Sequence, residues 1–231
     1  MKKLNDIKKM KKYILKYKIN EIFTEDMTEY MNLFFFRKNE HICKESVDMR
    51  YLFFFVEGKV KVYITLPNGK SLLLCFYENF KVFGDVEMID LREASSNIQV
   101  VEDSYCIGIS LKDVKAHLLK DPKFLRFACT SLGEKLGACS KNSSINLLYP
   151  LKNRLARYIL VTDEEVTNNG ERIIKFDGNL TEVSELLGTS YRHLLRTLKD
   201  FCDYGAIKKK ENYFEVIDEK ILKKLALDVY K

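Results

Sequence analysis

The chain has 231 residues, a formal net charge of +6 and 31% charged residues. That length allows two domains, each with its own core. No apolar run approaches the roughly 20 residues needed to cross a bilayer, which excludes a helical membrane protein.

The charge is uneven. Residues 1–20 hold eight lysines against Asp6 alone. The opening Met1-Lys2-Lys3-Leu4-Asn5-Asp6 lacks the apolar stretch of a secretory signal, so a cytoplasmic location is expected. Leu4, Ile7, Met10, Ile14 and Leu15 fall near one helical face, which admits an amphipathic helix on an anionic membrane. A solvated arm packed on the next domain is the preferred reading, and no membrane partner is expected.

From Asn32 to Ser110 short strands alternate with turns. Met31–Arg37, Tyr51–Val56, Lys59–Leu66, Ser71–Tyr77, Ile98–Val101 and Tyr105–Ile109 read as strands, with Pro67-Asn68-Gly69-Lys70 as a tight hairpin turn. Such spacing predicts a jelly roll or small barrel, not a parallel sheet. Between two of these strands lies Phe83-Gly84-Asp85-Val86-Glu87-Met88-Ile89, followed by Ser95 and Ser96. A flexible glycine, exposed amides and a carboxylate beside hydroxyls make a candidate effector pocket for a sugar–phosphate ligand.

After Pro122, residues 123–148 read as one long helix. Leu125, Cys129, Leu132, Leu136 and Cys139 step by four and three, a 3.5-residue repeat that favours a two-stranded parallel seam. Gly133 and Gly137 beside it cost roughly 1 kcal/mol each in helix propensity, a cost that close backbone approach would explain. The alternative is a core helix packed on its own barrel. Pro150 can open a new helix over Leu151–Val161, with Leu148-Tyr149 as a hinge.

Residues 179–198 read as a helix-turn-helix. Asn179 is a good N-cap, with Glu182 placed to complete the reciprocal cap. Val183, Leu186 and Leu187 face inward, Ser184 is small enough for a close crossing, and Gly188 supplies the turn. Thr189 or Ser190 caps the second helix. Its Leu194, Leu195 and Leu198 are expected inward, with Tyr191, Arg192, Arg196 and Lys199 outward. An outward face of three cations without a carboxylate suits phosphates in a major groove. Downstream, Ile207 starts a hairpin whose tip carries Lys208, Lys209 and Lys210, and Tyr213–Ile217 returns. Arg172–Phe176 alternates as a third strand upstream. Together these make a winged helix-turn-helix, although residues 150–231 carry fifteen Lys/Arg against fourteen Asp/Glu. The basic character is local, on the second helix and the wing.

The cysteines at 43, 75, 106, 129, 139 and 202 form no C-x-x-C pair, so neither zinc nor an iron–sulfur cluster is expected. Reduced, mostly buried thiols are the default, with cross-seam disulfides at Cys129 and Cys139 as an oxidative alternative. His41, His117 and His193 are far apart and join no nucleophile–base pattern, so the chain is not expected to be an enzyme.

The order of these parts resembles the Crp/Fnr superfamily of transcription regulators. The likeness rests on Gly58-x-Val60-x-Val62, Asn68-Gly69-Lys70, Phe83-Gly84-Asp85 and Gly188-x-Ser190-x-Arg192-x-x-x-Arg196. Tyr149-Pro150-Leu151-Lys152-Asn153-Arg154-Leu155-Ala156 is similar to the YeiL-type branch. The resemblance implies an α+β chain: a cyclic-nucleotide-binding-like double-stranded β-helix with its N-terminal arm (1–120), a dimerisation helix and hinge (121–148), and a winged helix-turn-helix (149–231).

It also implies a homodimer on palindromic double-stranded DNA, altering transcription initiation, with RNA polymerase as a further partner. By the same resemblance, Ser190, Tyr191, Arg192 and Arg196 contact DNA, and Asp85 after the pocket glycine Gly84 takes a ribose hydroxyl; from the residues themselves, Thr189, Lys199 and the wing lysines are expected to join the DNA contacts, and Phe83, Val86, Ser95 and Ser96 the pocket. The family's phosphate-binding arginine falls on Ser95, with Arg92 three residues early, and the seam hydroxyls that read the base fall near Cys139 and Ser140. A serine cannot cancel a phosphate charge, so cyclic AMP is not expected to bind in the usual way and no cofactor is assigned. From another class, the alternative is a small-molecule-binding module whose helix-turn-helix serves protein interaction.

Overall fold

The computed structural model describes residues 1–78, 80–90, 93–168, 171–176 and 179–226; Arg92 lies outside them. The chain divides into two compact units, Met1–Ile64 with Cys75–Cys139, and Thr65–Leu74 with Ser140–Lys231.

The first unit is built on β1 (Lys2–Leu4), α1 (Ile7–Lys16), β2 (Met31–Phe36), β3 (His41–Cys43), β4 (Tyr51–Glu57), all but the last residue of β5 (Val60–Thr65), the end of β6 (Ser71–Tyr77), whose first residues fall in the second unit, β7 (Lys81–Phe83), α2 (Glu87–Asp90), β8 (Asn97–Val100), β9 (Ser104–Ser110), α3 (Leu111–Asp113) and the first part of α4 (Pro122–Leu148). The strands form two sheets, β1-β2-β9-β4-β7 and β3-β8-β5-β6. The short strands β1, β3 and β7 have no counterpart in the sequence reading. Three residues are too few to establish an alternation, and these are recruited by longer neighbours.

Phe53-Phe54-Phe55 does not alternate in polarity because β4 is covered on both faces. Phe53 meets Phe34 and Phe36 edge to face on one side. Phe54 packs on Phe23, Phe80 and Phe127 on the other. That second face, with Leu33, Leu52, Ile107 and Ile109, is a core shared with Met10, Tyr13 and Ile14 of α1 and Phe124 and Ala128 of α4.

The lysine-rich start is thus an arm fixed to the barrel. β1 pairs antiparallel with β2, Tyr13 donates to Glu57 Oε2 at 2.6 Å, and the Lys9 ammonium lies 3.2 Å from the centroid of the Tyr105 ring. The five apolar residues do not share one face: Met10 and Ile14 are buried beside Tyr13, while Ile7 and Leu15 are exposed. No helix among the described residues is long and apolar enough to cross a membrane.

Asp121 sets the start of α4. Its carboxylate accepts from the backbone N–H and hydroxyl of Thr24 at 2.7 and 2.6 Å and from the N–H groups of Lys123 and Phe124. Burial opposes the charge, but these hydrogen bonds outweigh it and hold the carboxyl below its ordinary range.

The second unit contains the end of α4, α5 (Leu151–Thr162), β10 (Glu164–Asn168), β11 (Glu171–Phe176), α6 (Leu180–Leu186), α7 (Tyr191–Asp203), β12 (Ile207–Lys209), β13 (Phe214–Val216) and α8 (Glu219–Leu225). Its sheet runs β10-β11-β13-β12. β10, with the polar sequence Glu-Glu-Val-Thr-Asn, gives no apolar alternation, and its pairing with β11 creates it. The buried guanidinium of Arg154 donates to the Tyr149 carbonyl at 3.3 Å and to the Leu187 carbonyl, tying the start of α5 to the end of α6.

Candidate nucleic-acid interface and sensor cavity

The backbone demands of residues 179–190 explain the helix-turn-helix. Asn179 Oδ1 accepts from the N–H groups of Thr181 and Glu182, ending the orphan donors at the start of α6. Gly188 takes φ +58°, a left-handed conformation that costs an L side chain energy. Ser190, not Thr189, caps α7, its hydroxyl accepting from the His193 N–H at 3.2 Å. Thr189 is instead within 3.3 Å of His193 Nδ1, which puts His193 on the exposed face of α7 as well.

Leu194, Thr197, Leu198 and Phe201 are the buried stripe of α7. Leu195 is 40% exposed, a correction to its expected inward place. One helical step of about 100° separates it from Leu194, and the polar Thr197 at the right angle is buried in its stead. Tyr191, Arg192, Arg196 and Lys199 are all exposed. Among the described residues no carboxylate pairs with Arg192, Arg196 or Lys199. The face is not free of acids along its whole length, since α7 continues to the exposed Asp200 and Asp203. Its first two turns, which carry both arginines, have none.

The wing hairpin pairs β12 with β13, placing Lys208 opposite Glu215 and Lys209 opposite Phe214. Lys208 and Lys209 are exposed, but Lys210 binds Glu215 Oε2 at 3.0 Å. Lys210 is therefore partly neutralised, and the cationic edge of the wing is chiefly Lys208 and Lys209.

Phe83, Gly84, Asp85, Val86, Ser95 and Ser96 line one cavity of about 160 Å³. Cys43, Val62, Tyr77, Glu87, Ile98 and Lys135 complete its wall. Gly84 takes φ +91° with the Tyr51 carbonyl packed where a Cβ would project, so the loop passes tight against β4. Cys139 and Ser140 are exposed and are not part of the wall, contrary to their expected place. The helix reaches the cavity through Lys135, one turn earlier.

Asp85 is 2% exposed, and both its oxygens are taken by the chain itself: Lys135 Nζ lies 2.6 and 2.8 Å from them and also donates to the Val82 carbonyl at 2.6 Å. Glu87 accepts from the Ser95 N–H and hydroxyl at 3.2 and 3.3 Å. Burial, then the nearby Glu87 charge, pushes the Cys43 thiol up to about 12, so it stays neutral. The wall thus carries two carboxylates and one ammonium.

On α4, Leu125 is 38% and Leu136 71% exposed, with Cys129 and Cys139 also exposed and Leu132 half-buried. A Cβ at Gly133 or Gly137 would meet nothing within 4 Å. The two thiols of this stripe depart from the expectation of mostly buried cysteines. Among the described residues no three His, Cys, Asp or Glu side chains are grouped to hold a metal.

Residues 33–121 match the cyclic nucleotide-binding domain family and residues 153–225 the Crp-like helix-turn-helix domain family. Regulatory protein YeiL of Escherichia coli O157:H7 is 30% identical over 209 residues, covering 90% of this chain and 92% of that protein. Among solved structures, the CRP-family transcriptional regulator TTHB099 of Thermus thermophilus superposes with a TM-score of 0.65 at 17% identity, over 86% of this chain and 98% of that one. TTHA1359, a CRP/FNR-family regulator of the same organism, gives a TM-score of 0.63 at 18% identity, over 84% and 97%. Barrel with helical arm, long helix and winged helix-turn-helix, together with the likeness to YeiL over nine-tenths of its length, place this chain in the Crp/Fnr family of transcription regulators, in the YeiL-like branch.

Proposed function

We propose that the chain acts as a homodimer that binds a palindromic DNA site in a sequence-specific way, and that its sensor barrel does not hold cyclic AMP in the family's usual manner. The observation that carries the DNA part is the first half of α7, where Tyr191, Arg192 and Arg196 stand exposed and unneutralised above a well-capped supporting helix. Each arginine suits a bidentate contact to guanine, and Lys199, Lys208 and Lys209 suit phosphates. Ser190 and Thr189 sit at the entry to the same helix. RNA polymerase is the further partner such a regulator would meet.

The exposed apolar stripe on α4 supports the dimer. Two exposed glycines mid-helix have no packing reason within this chain, whereas a second copy of the helix would use the space above them. A parallel pair would set two recognition helices about 34 Å apart, in consecutive major grooves. Against the usual cyclic nucleotide stand Ser95 at the arginine position, the Lys135–Asp85 pair where a ribose hydroxyl would bind, and a volume below the roughly 300 Å³ common for ligand pockets.

Selection of random duplexes by the purified chain tests the reading. Enrichment of one inverted repeat is expected. Enrichment of nothing above background would leave the helix-turn-helix as a surface for protein contacts instead.

A further inference from the structure

We propose that the barrel cavity is a receptor for a small organic ammonium ion, bound by Glu87 beside the Lys135–Asp85 pair. Glu87 is 7% exposed and lines the cavity. Its Oε1 is satisfied by Ser95, but its Oε2 has no hydrogen-bond or ion-pair partner among the described residues. That oxygen belongs to a largely buried carboxylate on the cavity wall that no cation of the described residues neutralises, which suits the site to a positive charge. Asp85 shows which kind of cation this wall receives. It binds a primary ammonium through both oxygens, with the Val82 carbonyl taking a third contact and the Phe83 ring centroid 5.7 Å away. Carboxylate, carbonyl and ring face together match the three donors and the charge of an –NH₃⁺ group.

The remaining wall decides the class further. Val62, Phe83 and Ile98 offer hydrocarbon for an alkyl chain, the Ser95 hydroxyl donates to Glu87, and Ser96 lines the same wall. A cavity of about 160 Å³ equals roughly five water volumes, the size of a short alkylamine. A calcium ion would need six to eight oxygen ligands, more than Glu87 and two serines supply. A phosphate ester would add an anion to a wall whose one ammonium is already matched. The inference deepens the sensor part of the proposed function and is independent of the DNA part. An amine would bind whether or not the chain selects a duplex.

Isothermal titration calorimetry on the full chain tests it, with n-propylammonium chloride as probe and potassium chloride, sodium propionate and cyclic AMP as comparisons. Saturable binding of one propylammonium per chain is expected, weakened about tenfold or more by Glu87→Gln, which keeps the Ser95 contact but loses the charge. Val62→Phe, which fills the space without altering charge, should abolish it and serves if Glu87→Gln fails to fold. No saturable heat with propylammonium, equal affinity in Glu87→Gln, or potassium or cyclic AMP binding as tightly would each overturn the proposal.

Discussion

Lys135→Met isolates the buried ion pair between α4 and the barrel wall, as distinct from the exposed Lys81–Glu134 pair. The change keeps the length of the side chain and removes its ammonium, leaving Asp85 buried with only the Ser131 hydroxyl at 3.3 Å. Breaking a buried pair in this way costs about 3–5 kcal/mol. The Lys135 side chain is still 20% exposed, against 3% for Asp85, so the lower end, about 3 kcal/mol, is expected. In a chain of this length that corresponds to a fall of about 6–12 °C in Tm. Because the chain has two units, hydrogen exchange of barrel peptides, such as that containing Ser104–Ser110, should accompany the urea or thermal curve. The double variant Asp85→Leu/Lys135→Met should return to within about 1 kcal/mol of the parent, since burying neither charge removes the penalty. A single-variant cost below about 1 kcal/mol, or a double variant as unstable as the sum of its parts, would refute the account of Lys135 as a buried partner.

Other outcomes follow from the same geometry. Arg192→Ala and Arg196→Ala should each relax base preference at one position per half-site, at a cost of about 1–3 kcal/mol, whereas Lys209→Ala should weaken all duplexes evenly and lower the salt slope by about one; the slope of binding against salt on cognate and scrambled duplexes separates them. Lys210→Ala should matter less than Lys209→Ala because Glu215 already neutralises it, and equal losses would contradict that ranking. Leu136→Glu should yield folded monomers in sedimentation equilibrium, since this residue is 71% exposed in the single chain; a stable dimer would place the seam elsewhere. Asp121→Asn should cost about 1 kcal/mol at pH 7 as a lost helix cap. Because the folded carboxyl titrates below its unfolded value of about 3.9, the parent's advantage is present above that pH and fades as pH falls through the folded value. Urea unfolding at pH 7 and pH 3 gives the sign directly.

The local grammar of the DNA-binding end was legible because it is written in backbone requirements. Asn179 before an apolar run, Gly188 at a left-handed turn and Ser190 before the next helix each answer a demand made within four residues, and the structure meets all three at those positions. The longer strands were legible for a similar reason, since turns such as Pro67–Lys70 separate runs of aromatic and β-branched residues. The 3.5-residue stripe of α4 was visible too, although periodicity alone did not say which of its faces the barrel would cover.

Tertiary structure decided what depends on distant partners. Lys135 is 50 positions from Asp85, and nothing in its neighbourhood marks it as a cavity residue. A lysine on a helix reads as solvated until another element brings a carboxylate to it. The same holds for Lys210, whose charge is spent on Glu215 across the wing, and for Leu195, which a single step around α7 turns outward. Short-range geometry fixes helices, caps and turns because the chain carries both partners close together. The electrostatics of a pocket belong to whichever groups the fold gathers, so the charge of this cavity was settled only once α4 brought Lys135 to Asp85.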